Sequence, residues 1–145
     1  SKLACACAIV LASAASATAQ TAADSAAIRA TALDYVEGWY AGDAGRMEKA
    51  LHPDLAKRIV QNNAEGVSRL GHQGAETLIG YTKSGGGKNT PAAQQIKDVK
   101  ILDIFRNTAS VRAEMSGWID YMHIAKWNGE WKIVNVLWET KPPPR

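Results

Sequence analysis

The stretch from Trp118 to Trp138 constrains the fold more than any other part of the chain. Its two apolar segments are separated by only two residues, Asn128 and Gly129. Asn-Gly between alternating apolar residues is the strongest short-range indication of a β-hairpin, because both central turn positions need positive φ. The stretch therefore predicts two long strands, Trp118 to Trp127 and Glu130 to Glu139.

The two-residue turn also predicts the register of this hairpin, with Trp127 opposite Glu130 and Asp120 opposite Leu137. A β-bulge would shift these pairs by one residue and exchange the faces. One face is predicted to lie under the helices and to carry Trp118, Asp120, Met122, Ile124, Ile133 and Asn135. The other is predicted to carry Ile119, Tyr121, His123, Val134, Val136 and Trp138. Its aromatic and aliphatic character favours contact with another subunit.

A second hairpin precedes this one, since apolar residues alternate from Ile96 to Phe105 and from Thr108 to Met115 around Arg106-Asn107. Four consecutive strands of this kind predict an antiparallel meander. Within the first hairpin, one face is expected to carry Leu102, Ile104, Ala109 and Val111.

The N-terminal half has helical periodicity instead. Apolar residues recur at spacings of three and four from Ala22 to Ala41, and they include Tyr35 and Trp39. Asp24 or Ser25 is expected to cap the start of this helix, and Gly42 to end it.

Shorter helices are expected to follow. Asp43 can cap a second helix, and Asp54, after the break at Pro53, can cap a third over Leu55 to Val60. Ala75 to Thr82 predicts a further helix with Leu78 and Tyr81 inward, preceded by a short strand at Val67 to Leu70. Helices followed by an antiparallel sheet indicate an α+β domain with the helices on one face.

The first 19 residues differ in kind from the rest. Lys2 is the only charge before Asp24, an apolar run covers Leu3 to Leu11, and Ala17-Thr18-Ala19 forms an A-x-A site. This pattern is typical of a secretory signal peptide, so residues 1–19 are expected to be removed in a periplasmic or secreted protein. Cleavage would remove both cysteines, Cys5 and Cys7, and would leave no membrane anchor.

The remaining chain predicts one domain over residues 20–141 and a Pro-rich tail over residues 142–145. The formal net charge of the full sequence is only +3, and no run of five basic residues exists. A nucleic-acid surface is therefore not expected. The loop Ser84 to Lys88 departs from the phosphate-loop pattern, because Asn89 follows the lysine, and it is expected to be a flexible linker.

Several segments together resemble the NTF2-like superfamily, and within it the group named "putative lumazine-binding". They are DYVEGWYAGD (34–43), ALHPDLAKR (50–58), VKILDIFRNTASVRAEM (99–115) and IDYMHIAKWNGEWKIVN (119–135). The resemblance covers roughly residues 23–138. It implies a cone of helices packed on a curved antiparallel sheet, an internal pocket, and a homodimer through the outer sheet face. The superfamily includes isomerases, cyclases and dehydratases, as well as members without activity, so the fold does not give the function.

Asp120 is the sharpest catalytic candidate, because a carboxylate among apolar neighbours is poorly solvated and suits a general acid or base. Tyr35, Trp39, Trp118, Met122 and Asn135 are expected to line the pocket around it. His52, Asp54 and His72 lack metal-ligand spacing, so neither a metal nor another cofactor is expected.

The sequence thus predicts an exported domain that binds a small apolar or aromatic, possibly heterocyclic, ligand in its cone. One alternative is an isomerase, dehydratase or cyclase that uses Asp120 as general acid or base. The other is a non-catalytic dimeric association module, in which side chains fill the cone.

Overall fold

A computed structural model describes the backbone of residues 2–144 and the side chains of residues 20–144. The predicted signal peptide, residues 1–19, lies outside the range of described side chains. The elements in chain order are α1 (Lys2–Ala41), α2 (Ala44–Ala50), β1 (Leu51–Asn62), β2 (Ser68–Gln73), α3 (Ala75–Lys83), a 3-10 turn (Ala92–Gln94), β3 (Asp98–Phe105), β4 (Thr108–Glu114), β5 (Trp118–Trp127) and β6 (Glu130–Thr140).

The boundary between the first two helices agrees with the sequence prediction. The first helix ends at Ala41, and Gly42 takes a φ of 69° that few other residues adopt. Asp43 then caps α2, because its carboxylate accepts a hydrogen bond from the Arg46 backbone N–H at 3.0 Å. Asp24 and Ser25 do not cap the start of α1, since the helix already runs through both positions.

The predicted third helix over Leu55 to Val60 is wrong, because this segment belongs to strand β1. The buried residues alternate at Leu55, Lys57 and Ile59, which is the period of a strand with one covered face. A short apolar run does not distinguish a strand from a helix by periodicity alone. The adjacent strand at Val67 to Leu70 is confirmed in position and continues to Gln73.

Six strands form one open sheet in the order β2-β1-β6-β5-β4-β3. The last four make the predicted antiparallel meander. Strand β1 pairs antiparallel with β2 but parallel with β6, so the sheet is mixed. The predicted α+β class is confirmed, with the three helices packed against a sheet.

The Asn128-Gly129 turn is confirmed, with φ values of 51° and 81°. The predicted pairs hold from Trp127 opposite Glu130 as far as Ile124 opposite Ile133. His123 then pairs with Asn135, so Val134 is an extra residue on β6 and forms a β-bulge. Beyond the bulge, the predicted register is wrong by one residue.

The bulge exchanges the faces of the second half of β6. Val136 is buried at 2% exposure, and Trp138 packs against the core, whereas both were predicted on the outer face. Asn135 is exposed, although it was predicted to be inward, and Leu137 is 55% exposed beside it. Ile119, Tyr121 and His123 do lie on the outer side, opposite to the buried Asp120, Met122 and Ile124.

A similar irregularity occurs in the first hairpin. Ile101 pairs with Val111 and Asp103 with Ser110, so Leu102 is the additional residue and is 48% exposed. The prediction that Leu102 shares a face with Ile104, Ala109 and Val111 is therefore wrong, and Ile101 takes its place opposite Val111.

Helix α1 covers the inner face of the sheet and forms most of the core with it. Its side chains Ile28, Ala32, Tyr35, Val36 and Tyr40 are at most 4% exposed. Thr31 Oγ1 donates to the Trp131 carbonyl at 3.0 Å, and Arg29 donates to the Val99 carbonyl at 2.7 Å. In α3, Leu78 is buried as predicted, but Tyr81 is 57% exposed and therefore not inward.

Candidate functional site

Lys57 and Asp120 meet under the helices because both of their strands pair with β6. Lys57 on β1 lies opposite Val136, and Asp120 on β5 lies opposite Trp138. Val136 and Trp138 are two residues apart and share the inner face of the strand. The Val134 bulge therefore determines that Trp138, rather than Leu137, shares the inner face with the two charged residues.

The Asp120 carboxylate is fully buried, and both of its oxygens have partners. Trp118 donates its indole N–H to Oδ2 at 2.9 Å, and Lys57 Nζ lies 3.3 Å from Oδ1. The Lys57 side chain is only 5% exposed. Burying a charge is tolerated when it is paired and hydrogen-bonded, so each residue of this ion pair stabilises the other.

Tyr35 on α1 completes the polar cluster, since Lys57 Nζ also donates a hydrogen bond to the phenol oxygen. Burial lowers the pKa of Lys57, and the Asp120 carboxylate opposes this effect. Burial raises the pKa of Tyr35 well above its ordinary value of 10.0, and the negative charge of Asp120 adds to the rise. The Tyr35 phenol is therefore neutral at physiological pH.

Three tryptophans form an aromatic row beside this cluster. The Trp118 ring makes edge-to-face contacts with Trp39 and with Trp138, each at 6.1 Å between ring centroids. Lys57 Nζ lies 4.8 Å from the centroid of the Trp138 ring, a cation–π distance. The ammonium thus has an aromatic face on one side and polar partners on the other.

The loop after α3 holds Trp39 in place. A side chain at Gly87 would lie 2.3 Å from the Trp39 carbonyl oxygen, and one at Gly86 would lie 2.7 Å from its ring. Ser84 to Lys88 was predicted to be a linker, but its glycines allow it to pack directly on the end of α1.

A cavity of about 230 Å³ leads from the surface to Lys57. It lies between β1, β2, α3 and the end of β6. We call it the vestibule and define it by its lining residues, Lys57, Ile59, Gly71, His72, Gln73, Thr77, Tyr81 and Trp138. Gly71 contributes no side chain at this point, and a Cβ there would lie 3.0 Å from Ile59 Cγ2. Lys57 is the most deeply buried of the lining residues and therefore lies at the inner end of this open space.

Gln73 places a second polar group at the inner end of the vestibule. It lies directly opposite Lys57 in the β1–β2 pair, and both residues line the cavity. Its Oε1 atom is shielded from solvent and accepts no hydrogen bond from any residue that the structure describes. Buried polar atoms are nearly always hydrogen-bonded, so an unpaired acceptor beside a cavity requires an explanation.

A larger cavity of about 530 Å³ lies between α2, α3 and the Asn128-Gly129 turn. Its acidic residues Glu48, Glu76 and Glu130 are all exposed. The vestibule is the stronger candidate site because it reaches a buried charge.

The structure brings together four of the residues predicted to form the pocket. Tyr35, Trp39, Trp118 and Asp120 lie within one cluster, and Met122 is buried in the core next to it. These side chains contact one another, and the open space lies beyond them on the far side of Lys57. The prediction that Asn135 lines the pocket is wrong, because the bulge turns it to the outer face, within 3.5 Å of His123.

Sequence reasoning missed the two residues that link this cluster to the surface, Lys57 and Gln73. The segment that contains Lys57 was predicted to be a helix, and a lysine in the middle of a short helix is ordinarily solvated. The alternation of Leu55, Lys57 and Ile59 was the available indication of a strand with an inward lysine.

Among the described residues, no three histidine, cysteine, aspartate or glutamate side chains lie close enough together to bind a metal ion. Within the same residues, no helix has the length and apolar character needed to cross a membrane.

The helices on a six-stranded sheet, with a polar cluster between the two, define an NTF2-like α+β domain. The chain belongs to the family described as "putative lumazine-binding", whose pattern matches residues 23–139. No curated relative matches the chain.

Solved structures share this fold at low sequence identity. An NTF2-like protein of unknown function from Shewanella baltica is 20% identical, with 83% of this chain and 96% of that chain covered and a TM-score of 0.62. An NTF2-like protein with a cystatin-like fold from Novosphingobium aromaticivorans is 11% identical, with 89% of each chain covered and a TM-score of 0.64. A ketosteroid isomerase-like protein from Erwinia carotovora atroseptica is 13% identical, with coverage of 81% and 96% and a TM-score of 0.51. These likenesses concern the fold alone.

Proposed function

We propose that this protein binds a small, flat ring molecule in the vestibule, with the ring against Trp138 and a polar ring substituent directed at Lys57. The observation that carries the proposal is the buried, charged side chain of Lys57 in the lining of an open cavity. A lysine placed there solely for stability would be expected to have all of its donors occupied within the protein.

Lys57 has a donor to spare. An ammonium carries three N–H donors. Tyr35 and Asp120 accept two of them, and no third acceptor occurs among the side chains of residues 20–144. The other close neighbour of the ammonium is the Trp138 ring, and Lys57 and Trp138 both line the cavity. A carbonyl or an anionic oxygen on a ligand would complete the hydrogen bonding of the ammonium.

The size of the vestibule limits the ligand. Pockets for drug-sized ligands span roughly 300–1,000 Å³, and the vestibule, at about 230 Å³, is smaller. A one- or two-ring molecule fits this volume best. Lumazine, the two-ring heterocycle in the family description, is of this class and carries carbonyl groups, so it is the first probe to use.

Catalysis by Asp120 is the less supported alternative. Both carboxylate oxygens are engaged by Trp118 and Lys57, and the residue is 0% exposed. A general base must come within hydrogen-bond reach of the proton that it removes. Lys57 stands between Asp120 and the vestibule, so a ligand there would meet the lysine first.

The binding test is calorimetric titration of the wild type with lumazine, repeated with a variant whose vestibule is filled. Thr77 is exposed on α3 and lines the cavity, so Thr77→Trp should close it. Lys83→Trp adds the same ring to the same helix outside the cavity and is the matched control. We expect Thr77→Trp to lose binding and Lys83→Trp to keep it. Equal binding by both variants would place the ligand elsewhere and refute the proposal.

We further propose a homodimer through the outer sheet face, which the sequence also predicted for a ligand-binding domain. Exposed Tyr121 and Leu137 support it, at 51% and 55%, because large apolar side chains grouped on one face favour association. They line a concavity of about 430 Å³ together with Arg58, His123 and Asn135. Sedimentation of the wild type and of Tyr121→Glu tests this, and a monomeric wild type would refute it.

Export to the periplasm or outside the cell is also a proposal, and the signal-peptide pattern of residues 1–19 supports it. Determining the N-terminal residue of the protein recovered from its own cells tests it. A start at Gln20 is expected, and retention of Cys5 and Cys7 would contradict export with cleavage.

A further inference from the structure

Two polar residues of opposite hydrogen-bonding character line the vestibule side by side. Lys57 can only donate hydrogen bonds, and Gln73 Oε1 can only accept them. The two residues are direct cross-strand partners, whose Cβ atoms in such a pair lie ~4.5–5.5 Å apart on the same face of the sheet. A donor and an acceptor at this spacing can contact neighbouring atoms on one edge of a ring.

The Gln73 acceptor is at present unused. Its Oε1 has no donor within the described part of the chain, although the atom is shielded from solvent. The terminal amide of glutamine turns easily, because its last torsion has a broad energy profile. A ligand in the vestibule can therefore recruit Oε1 without any rearrangement of the backbone.

We propose that the vestibule selects ligands with a cyclic amide edge, in which a ring carbonyl accepts from Lys57 and the adjacent ring N–H donates to Gln73. This inference rests on the proposed binding function and names the ligand class of the same site. Trp138 lines the same cavity and supplies an aromatic contact for the ring that carries this edge.

The physical basis for selectivity is the cost of leaving buried polar groups unpaired. A ring with the N–H supplies the donor that the shielded Gln73 Oε1 lacks, whereas a ring without it leaves this atom unpaired. Sites built to hydrogen-bond a ligand discriminate strongly against analogues that lack the matching group, whereas apolar contacts discriminate weakly. Selectivity should therefore follow the N–H group more than the size of the ring.

Three matched ligands test this directly by calorimetry. Quinolin-2(1H)-one has the complete amide edge, N-methylquinolin-2-one lacks the N–H donor, and quinoline lacks the carbonyl as well. We expect quinolin-2(1H)-one to bind roughly tenfold or more tightly than either analogue. In Gln73→Leu, the preference over the N-methyl analogue should disappear, and in Gln73→Glu, which keeps an acceptor, it should persist.

The outcomes separate this inference from the proposed function. If all three ligands bind equally and Thr77→Trp abolishes their binding, the vestibule binds rings but the amide-edge inference is wrong. If the preference is present but unchanged in Gln73→Leu, another group accepts the N–H and the inference is also wrong. If none of these ligands nor lumazine binds the wild type, both the inference and the proposed function fail.

Discussion

Lys57 and Asp120 are 63 residues apart in the chain, yet they form an ion pair inside the fold with 3.3 Å between Nζ and Oδ1. Desolvation of two charges costs several kcal/mol per ion, and the attraction between them offsets this only in good geometry. The pair is therefore weak evidence for added stability. Its position at the inner end of the vestibule favours a role in binding.

Breaking the ion pair from one side should be strongly destabilising. We expect Asp120→Leu to lower the free energy of unfolding by about 3–5 kcal/mol, because Lys57 is then buried without a counter-charge. Urea denaturation at neutral pH measures this change. The double variant Lys57→Met/Asp120→Leu should recover most of the loss, since a well-packed apolar pair is often as stable as a buried ion pair. Additive losses in the double variant would show that the two side chains are not coupled.

The raised pKa of Tyr35 predicts that the protein loses stability at alkaline pH. Burial raises the pKa of Tyr35 in the folded protein above its ordinary value of 10.0. Above pH 10 the unfolded chain releases this proton while the folded chain retains it, so stability is complete below that pH and falls as the pH rises. We expect Tyr35→Phe to remove this part of the decline between about pH 9 and pH 11. Exposed Tyr81 provides the control, because Tyr81→Phe should leave the alkaline profile of the urea midpoint as it is.

The lowered pKa of Lys57 has the opposite effect: it makes stability rise with pH, at pH values below 10.5. Its lowered pKa means that the unfolded chain binds more protons between the lowered value and 10.5, so stability rises with pH within that window. Lys57→Met, studied in the Asp120→Leu background to avoid an unpaired carboxylate, should flatten that rise. If stability changes with pH equally in Asp120→Leu and in the double variant, the pKa of Lys57 does not differ between the folded and unfolded chains.

The extra residue at Val134 should be dispensable once the faces beyond it are set. Deleting Val134 would remove the bulge but leave Val136 and Trp138 inward and Asn135 and Leu137 outward, because the pairs beyond the bulge keep their present partners. We expect this deletion to cost about 1–2 kcal/mol, measured by urea denaturation and near-ultraviolet circular dichroism. Deleting Leu137 instead would turn Trp138 to the outer face and should cost more than about 4 kcal/mol or prevent folding. Equal losses in the two deletion variants would contradict this account of the bulge.

Gly129 should be required in the hairpin turn for its positive φ, and not for lack of space for a side chain. No atom lies within 4 Å of a Cβ built there, but its φ is 81°, so Gly129→Ala should cost about 1–2 kcal/mol. Gly117 also has open space around it and no positive φ, so Gly117→Ala should change stability by less than about 0.5 kcal/mol. Thermal denaturation of both variants tests the difference. Equal losses of stability would contradict the role of the positive φ.

The parts of the fold that were predictable are those determined by local chemistry. Asn128 and Gly129 determine their turn through the φ values that they tolerate, and Asp43 caps α2 through a contact only three residues away. The Val134 bulge was not predictable in this way, because it leaves no distinctive residue at the position. Asn135 is polar and the adjacent Val136 is apolar, so the alternation of polar and apolar residues does not select one register over the other.

The candidate site was only half predictable for the same reason. Asp120 and Tyr35 could be placed from strand alternation and helical spacing. Lys57 and Gln73 could not, because β1 obtains its strand conformation from β2 and β6, which pair with it from distant parts of the chain. A lysine in an ambiguous segment becomes a site residue only through these long-range partners.

The parallel pairing of β1 with β6 has a consequence for the order of events during folding. Parallel strands distant in the chain pair slowly, because loop closure must be complete before the contacts form. The β5–β6 hairpin, joined by two residues, forms on a far shorter timescale. Strand β1 comes early in the domain and must wait for the last strand to pair with it. Until then Lys57 remains in water, so the site comes into existence only when the sheet has assembled.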